Sequence, residues 1–115
     1  MTRVKRGISV KKRHKKLLKQ TKGFWGQRKN VFKKAKDTLL RAMAFAYKGR
    51  KLKKRDMRAL FIARVAAAAK ERGISYSVFM HGLKKANIQL NRKMLSQLAI
   101  FEPKAFTQLV ELAKQ

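Results

Sequence analysis

Residues 1–58 hold 23 of the chain's 32 lysines and arginines and only two of its five acidic residues. A stretch so lopsided cannot close around a core of its own, because like charges held in a compact state repel one another. A polyanion has to complete it. Nucleic acid fits, since every phosphate neutralised by Lys or Arg releases condensed counterions and favours binding. Residues 59–115 are milder, with nine basic and three acidic residues. The charge therefore divides the chain into a basic arm, 1–58, and a compact C-terminal module, 59–115. The arm comprises a tail, a short helix and the first part of a long helix.

The whole chain has 115 residues and a formal net charge of +27, room for one ordinary domain. It has no cysteine, which excludes a disulfide scaffold, a thiolate metal site and a cysteine nucleophile. No apolar run approaches the roughly 20 residues of a membrane span. Met1 to Lys22 is acid-poor but shows neither a signal-peptide core nor a clear amphipathic stripe, and reads as mature protein.

Met1 to Gly7 contains too few apolar groups to fold alone and reads as an extended tail bearing Arg3, Lys5 and Arg6. Ser9 is placed to cap a short helix over Lys11 to Lys22. Lys11, Lys12, Arg13, Lys15, Lys16, Lys19 and Lys22 surround that helix, and Val10, Leu17 and Leu18 are its only apolar groups. It is marginal in water and forms against phosphates.

Gly23-Phe24-Trp25-Gly26 brackets two aromatics with two glycines. One reading is a helix end and a turn, with the rings packed on protein. The other is a close backbone approach to RNA, with a ring stacked on a base or sugar. The residues leave both open.

Gln27 to about Lys70 reads as one long helix with helically spaced apolar positions at Val31 or Phe32, Ala35, Leu39, Ala42 or Met43, and Ala46. Gly49 marks a candidate kink. Arg28, Lys29, Lys33 and Arg41 make its first half basic. Arg50, Lys51, Lys54, Arg55 and Arg58 continue the charge, opposed only by Asp56, and are assigned to phosphate contact.

Leu60, Ile62, Val65, Ala66 and Ala69 then form an apolar stripe. Gly73 suits the left-handed position after a helix. Three helices follow, over about Tyr76 to Lys85, Arg92 to Ile100 and Pro103 to Lys114. Ser75 and Asn91 can cap the first two, and Pro103 takes the first position of the third. Ile74 with Phe79, Leu90 with Leu95, and Phe101 with Phe106 have the spacing of hydrophobic staples. Asn87 suits a left-handed turn. The expected core adds Val78, Phe79 and Leu83; Met94, Leu95 and Leu98; and Phe106, Leu109, Val110 and Ala113. Arg64, Arg72, Lys84, Lys85, Arg92 and Lys93 flank the helix ends as basic candidates for an RNA face. The fold class is all-α: an extended basic tail and long helix followed by a small helical bundle.

No chemistry emerges. His14 and His81 lack partners at ligand spacing; His14 is assigned to the RNA face. The acids form no pair placed for acid–base work. Gly23 and Gly26 lack the rest of a phosphate-cradling loop. No enzyme activity, metal, cofactor, small-molecule substrate or membrane is implied. A DNA-compacting or transcription-regulating protein shares the charge and the helices. Against it, the chain shows no obvious recognition helix and no dimerisation heptad.

Several segments together are specific. Arg3-Val4-Lys5-Arg6-Gly7, Arg13-His14-Lys15-Lys16, Leu18-Lys19-Gln20, Gly23-Phe24-Trp25-Gly26-Gln27-Arg28, Ala46-Tyr47-Lys48-Gly49-Arg50, Leu60-Phe61-Ile62-Ala63-Arg64-Val65, Gly73-Ile74-Ser75-Tyr76-Ser77 and Gly82-Leu83-Lys84-Lys85-Ala86 resemble, nearly end to end, the bacterial-type large-subunit ribosomal protein twenty family. The chain departs from the family pattern at Phe61, usually tryptophan, and at Ala66, usually asparagine, which cannot make the amide's hydrogen bonds. The resemblance implies a structural constituent of the large ribosomal subunit whose arm threads into ribosomal RNA, with Tyr47 of the mid-helix segment among the contacts. It implies a C-terminal module docked on an RNA junction at the subunit's solvent side, and a role early in assembly. Some members also bind messenger RNA and repress their own operon. The implied partners are large-subunit RNA and neighbouring large-subunit ribosomal proteins. The implied location is the ribosome of the bacterial cytoplasm, with a plastid or mitochondrial ribosome as the alternative.

Overall fold

A computed structural model describes Arg3 and residues 5–114; Met1, Thr2, Val4 and Gln115, and with them part of the expected tail, lie outside the described residues. Among the described residues the regular elements are all helical: α1 (Ile8–Gln20), a 3-10 turn (Gly26–Arg28), α2 (Phe32–Glu71), α3 (Tyr76–Lys85), α4 (Arg92–Phe101) and α5 (Pro103–Lys114). The chain's internal contacts gather into two compact units, Met1–Arg50 and Lys51–Gln115, with the division inside α2.

In the first unit, α1 begins earlier than the Ser9 cap predicts. Gly7 is the cap residue, in extended conformation and with no side-chain bond, and its carbonyl accepts the Val10 amide at 3.3 Å. The helix ends at Gln20 rather than Lys22, because Thr21 is fully buried and turns the chain. Its hydroxyl faces the Leu18 and Lys29 carbonyls at 3.2 and 3.4 Å. The long helix begins later than expected. The Gln27 carbonyl is taken by the amides of Asn30 and Val31 in a turn, and the first bond into α2 runs from the Ala35 amide to the Val31 carbonyl at 2.8 Å. Ala35 and Thr21 are the buried residues among those described in this unit. Gly49 does not break α2, which runs through it, and no atom lies within 4 Å of a Cβ built there.

The second unit has the core. The end of α2 supplies Val65, Ala68 and Ala69; α3 supplies Phe79 and Leu83; α4 supplies Leu95; α5 supplies Phe106, Val110 and Ala113; Ile74 closes it from the connection. Helix α5 packs against both α3 and α4. Phe79 and Phe106 meet as a tilted ring pair, centroids 5.2 Å apart. Fully burying side chains of this size stabilises by about 1.5–3 kcal/mol each.

The helix ends follow local chemistry closely. Gly73 (φ 74) and Asn87 (φ 56) take the left-handed conformation. At the first, the Ile74 amide donates to Ala69 and Gly73 to Lys70; at the second, Ile88 donates to Leu83 and Asn87 to Lys84. Both are the doubly bonded C-terminal motif, with an apolar residue after the turn folded back on the helix. Ser75 accepts the Val78 amide and Asn91 the Met94 amide.

Three expected core positions are not core: Leu60 (40% exposed), Val78 (54%) and Met94 (45%) face outward, and so does the expected staple residue Phe101 (75%). Phe101 therefore does not staple Phe106. Helix α4 runs one residue longer than its stripe predicts, and Glu102 alone separates it from α5. Ala68, absent from the expected stripe, is buried instead.

Backbones approach closely at Gly82. A Cβ there would fall on the Ala113 backbone, 2.7 Å from its Cα and 2.8 Å from its carbonyl carbon. Backbone cannot step aside as a side chain can, so α3 and α5 would have to part. Gly82→Ala should destabilise the protein by about 1–3 kcal/mol, read as a lowered denaturant midpoint. An unchanged midpoint would mean that the helices lie further apart than this.

Candidate nucleic-acid interface

The elbow between α1 and α2 is fixed by backbone conformation. Gly23 (φ 85) and Gly26 (φ 58) are both left-handed, which costs a side-chain-bearing residue roughly 1 kcal/mol or more. A Cβ at either would meet nothing within 4 Å, so the dihedral angle, and no close protein neighbour, accounts for the glycines. The Phe24 amide donates to the buried Thr21 at 3.1 Å. Phe24 is half-buried, whereas Trp25 is 88% exposed. The turn reading is right for the glycines, but the tryptophan ring is not packed on this protein.

The basic residues assigned to RNA are distributed as a coat. Arg3, Lys5, Arg6, Lys11, Lys12, Arg13, Lys15, Lys16, Lys19, Lys22, Arg28, Lys29, Lys33 and Arg41 are all exposed. Some converge. Arg6, Lys11, His14 and Lys15 flank a shallow groove along α1, and Arg13 and Lys16 line another with Phe32 and Lys36. His14 is half-buried, and its ring stacks on Phe32 with centroids 3.8 Å apart and planes at 23°. It joins α1 to α2, a role that its place in the basic run did not suggest.

Residues 43–60 of α2 are exposed at every position. Tyr47, Arg50, Lys51, Lys54, Arg55 and Arg58 all lie in this stretch. Helices in proteins draw most of their stability from packing an apolar face, and here five turns have no buried face. Lysines and arginines spaced three and four residues apart make it worse by repulsion.

In the second unit Arg64, Lys84, Lys85 and Lys93 are exposed, and Arg92 is half-buried. The Arg92 Nε donates to the Tyr76 hydroxyl at 2.9 Å, tying the start of α4 to the start of α3. Arg72, a basic candidate by sequence, belongs to the fold. Its Nε donates to Thr107 Oγ1 at 2.9 Å and its guanidinium to the Ala68 carbonyl at 2.7 Å. The same group lies 5.1 Å from the centre of the Phe106 ring. The two departures from the family pattern, Phe61 and Ala66, are half-buried; Ala66 borders a shallow groove with Lys70, Ile74 and Tyr76.

Among the described residues no group of three His, Cys, Asp or Glu could hold a metal ion. Among them, too, no helix is long and apolar enough to cross a membrane. Fold and surface define a class: a polybasic protein, all-helical among the described residues, with a long exposed basic helix.

Comparison with known proteins narrows it. The family model described as Ribosomal protein L20 matches residues 3–109. The "Large ribosomal subunit protein bL20" of Clostridium novyi (strain NT) is 59% identical over 115 residues, which span 100% of this chain and 97% of that protein. The protein of the same name from Clostridium tetani (strain Massachusetts / E88) is 56% identical over the same spans. The chain belongs to the ribosomal protein L20 family. It is accordingly a structural, non-enzymatic protein of the large ribosomal subunit, and the DNA-compacting alternative is set aside.

The division of labour between Arg72 and the exposed basic residues is testable. Arg72→Met should destabilise the fold by about 1–3 kcal/mol through the hydrogen bonds it removes and leave the salt dependence of RNA binding unchanged. A flatter salt slope for this variant would place Arg72 against phosphate.

Proposed function

We propose that the chain holds folded large-subunit ribosomal RNA together by neutralising phosphates along its arm while its C-terminal module docks separately on the RNA. The observation that carries this is residues 43–60, exposed on all sides and dense in lysine and arginine. Such a helix gains its missing partner when RNA strands close around it, and the ordering of the arm is then coupled to the folding of the RNA. Coupling of that kind favours action early in subunit assembly, before RNA segments have settled against one another. The relatives are bacterial proteins, so the ribosome is that of the bacterial cytoplasm. Neighbouring ribosomal proteins are further partners, offered outward-facing apolar residues such as Phe101 and Ile100.

Ultraviolet crosslinking in cells, with sequencing of the attached nucleic acid, tests the reading. Reads should concentrate at a few sites in large-subunit ribosomal RNA. A spread over the chromosome or over many messengers would refute it.

Two finer expectations concern how the work is divided. Replacing lysines and arginines between Arg3 and Lys22 by Ala should weaken RNA binding additively. Each phosphate left without its cation should reduce the slope of log affinity against log salt by about 0.7–0.9; an unchanged slope after several substitutions would remove the tail and α1 from the interface. Residues 59–115 should fold alone, and residues 1–58 should not fold without RNA. Circular dichroism melts of the two fragments decide this, and a cooperative melt of the isolated arm would contradict it.

A further inference from the structure

An open groove lies between the elbow and the first turns of α2. Phe24, Trp25 and Arg28 form one side; Lys34, Asp37, Thr38, Arg41, Ala42 and Phe45 form the other. The α2 residues recur every three or four positions, so they share one face of the helix. Phe45 is 71% exposed and Trp25 88% exposed, so two aromatic rings stand open to solvent beside three cations. The elbow that carries Trp25 is built on two left-handed glycines and the buried Thr21, so the ring is presented by a defined turn.

Asp37 is the unexpected member. It is one of only two acidic residues in the first 58. It is exposed, and its carboxylate has no hydrogen bond or ion pair among the described residues. In a surface that recruits phosphate, a free carboxylate is repulsive. It is useful only toward a group that donates. Ionised carboxylates accept and never donate, and the donors that RNA brings beside its phosphates are base edges and ribose hydroxyls.

We infer that this groove takes one unstacked base of the bound RNA, stacked on Trp25, with its donor edge toward Asp37 and its flanking phosphates toward Arg28, Lys34 and Arg41. The inference rests on the RNA-binding reading above and adds a base preference to it. Guanine presents two adjacent donors, N1–H and the N2 amino group, which match the two oxygens of a carboxylate. Uracil presents one N–H between two carbonyl oxygens, and those oxygens are repelled by the same carboxylate. Guanine should therefore be preferred over uracil. Every base has a face to stack, so stacking by itself is tolerant of sequence, and discrimination falls to Asp37.

Trp25 is the chain's single tryptophan, so its fluorescence reports this groove alone. The full chain is titrated with a uridine oligonucleotide and with the same oligonucleotide carrying one central guanosine. The guanosine form should quench at a concentration roughly tenfold lower, as a two-bond contact to one base implies. Asp37→Asn should narrow that gap by removing the carboxylate that accepts both guanine donors. Trp25→Ala, which removes the fluorophore and is followed instead by filter binding of the labelled oligonucleotide, should weaken binding of the guanosine form roughly 5- to 150-fold, as loss of a stacked base does. Equal quenching by the two oligonucleotides, or a gap that survives Asp37→Asn, overturns the inference. So does quenching by neither while ribosomal RNA still binds, in which case the RNA-binding reading stands and only the base site falls. Quenching by an apolar peptide in place of both oligonucleotides would overturn it too and assign the groove to a protein neighbour. Failure of the parent chain to bind ribosomal RNA would defeat both readings together.

Discussion

A helix surrounded by its own positive charge needs a partner, and that need governs the structure. From Met43 to Leu60, α2 is exposed all round. Its lysines and arginines are opposed by a single acid, Asp56, and no apolar face is buried. The helix is held from its ends instead. At one end the Thr21 elbow and the His14–Phe32 stack fix its first turns. At the other, Val65, Ala68 and Ala69 enter a packed core and Gly73 closes the last turn. What lies between has no buried residue to hold it. This explains why the two kinds of charged residue behave so differently. Arg72 is enclosed by Thr107, Ala68 and Phe106, and its loss is a matter of stability. The arm's lysines and arginines are exposed, and on the proposed reading their loss is a matter of affinity.

The C-terminal unit shows how a small core is made sufficient. Alanines at the end of α2 and a glycine in α3 let backbones approach closely, and two phenylalanines fill the centre. Its connections are short and chemically determined, with left-handed stops at Gly73 and Asn87 and side-chain caps at Ser75 and Asn91. Fixed helix ends also set where the basic residues beside them stand, because those residues inherit their positions from the caps. Lys84 and Lys85 precede one such stop, and Lys93 follows one such cap.

What the sequence made legible was local. The starts at Tyr76, Arg92 and Pro103, and the stops after α2 and α3, follow from caps and left-handed residues within a few positions of each other. What it hid depended on distant residues. Phe101 has the spacing of a staple, yet α4 continues through it and leaves it outside. Arg72 reads as one more surface cation until its partner 35 residues away, Thr107, is in place. Val78 and Met94 sit beside buried positions on short helices, where one residue of rotation decides inside from outside. As for the candidate interface, its charge was plain from composition, but the grouping of Asp37, Arg41 and Phe45 with Trp25 was not. The helical spacing of Lys34, Asp37, Arg41 and Phe45 was available as a signal; where the elbow would land was not.

The bare middle of α2 also bears on how long an unbound copy survives. Helical turns without tertiary support open locally at little cost, and each opening here exposes peptide bonds beside lysine or arginine, the bonds that basic-specific proteases cut. Cleavage of a transiently opened segment follows the population of the open form, and a ligand that binds only the closed helix reduces that population by mass action. If RNA closes around this helix as proposed, it acts as a shield as well as a partner. Copies without a place on RNA would then be the ones left open to degradation, and the supply of this protein would be trimmed toward the supply of RNA through the physical state of one exposed helix.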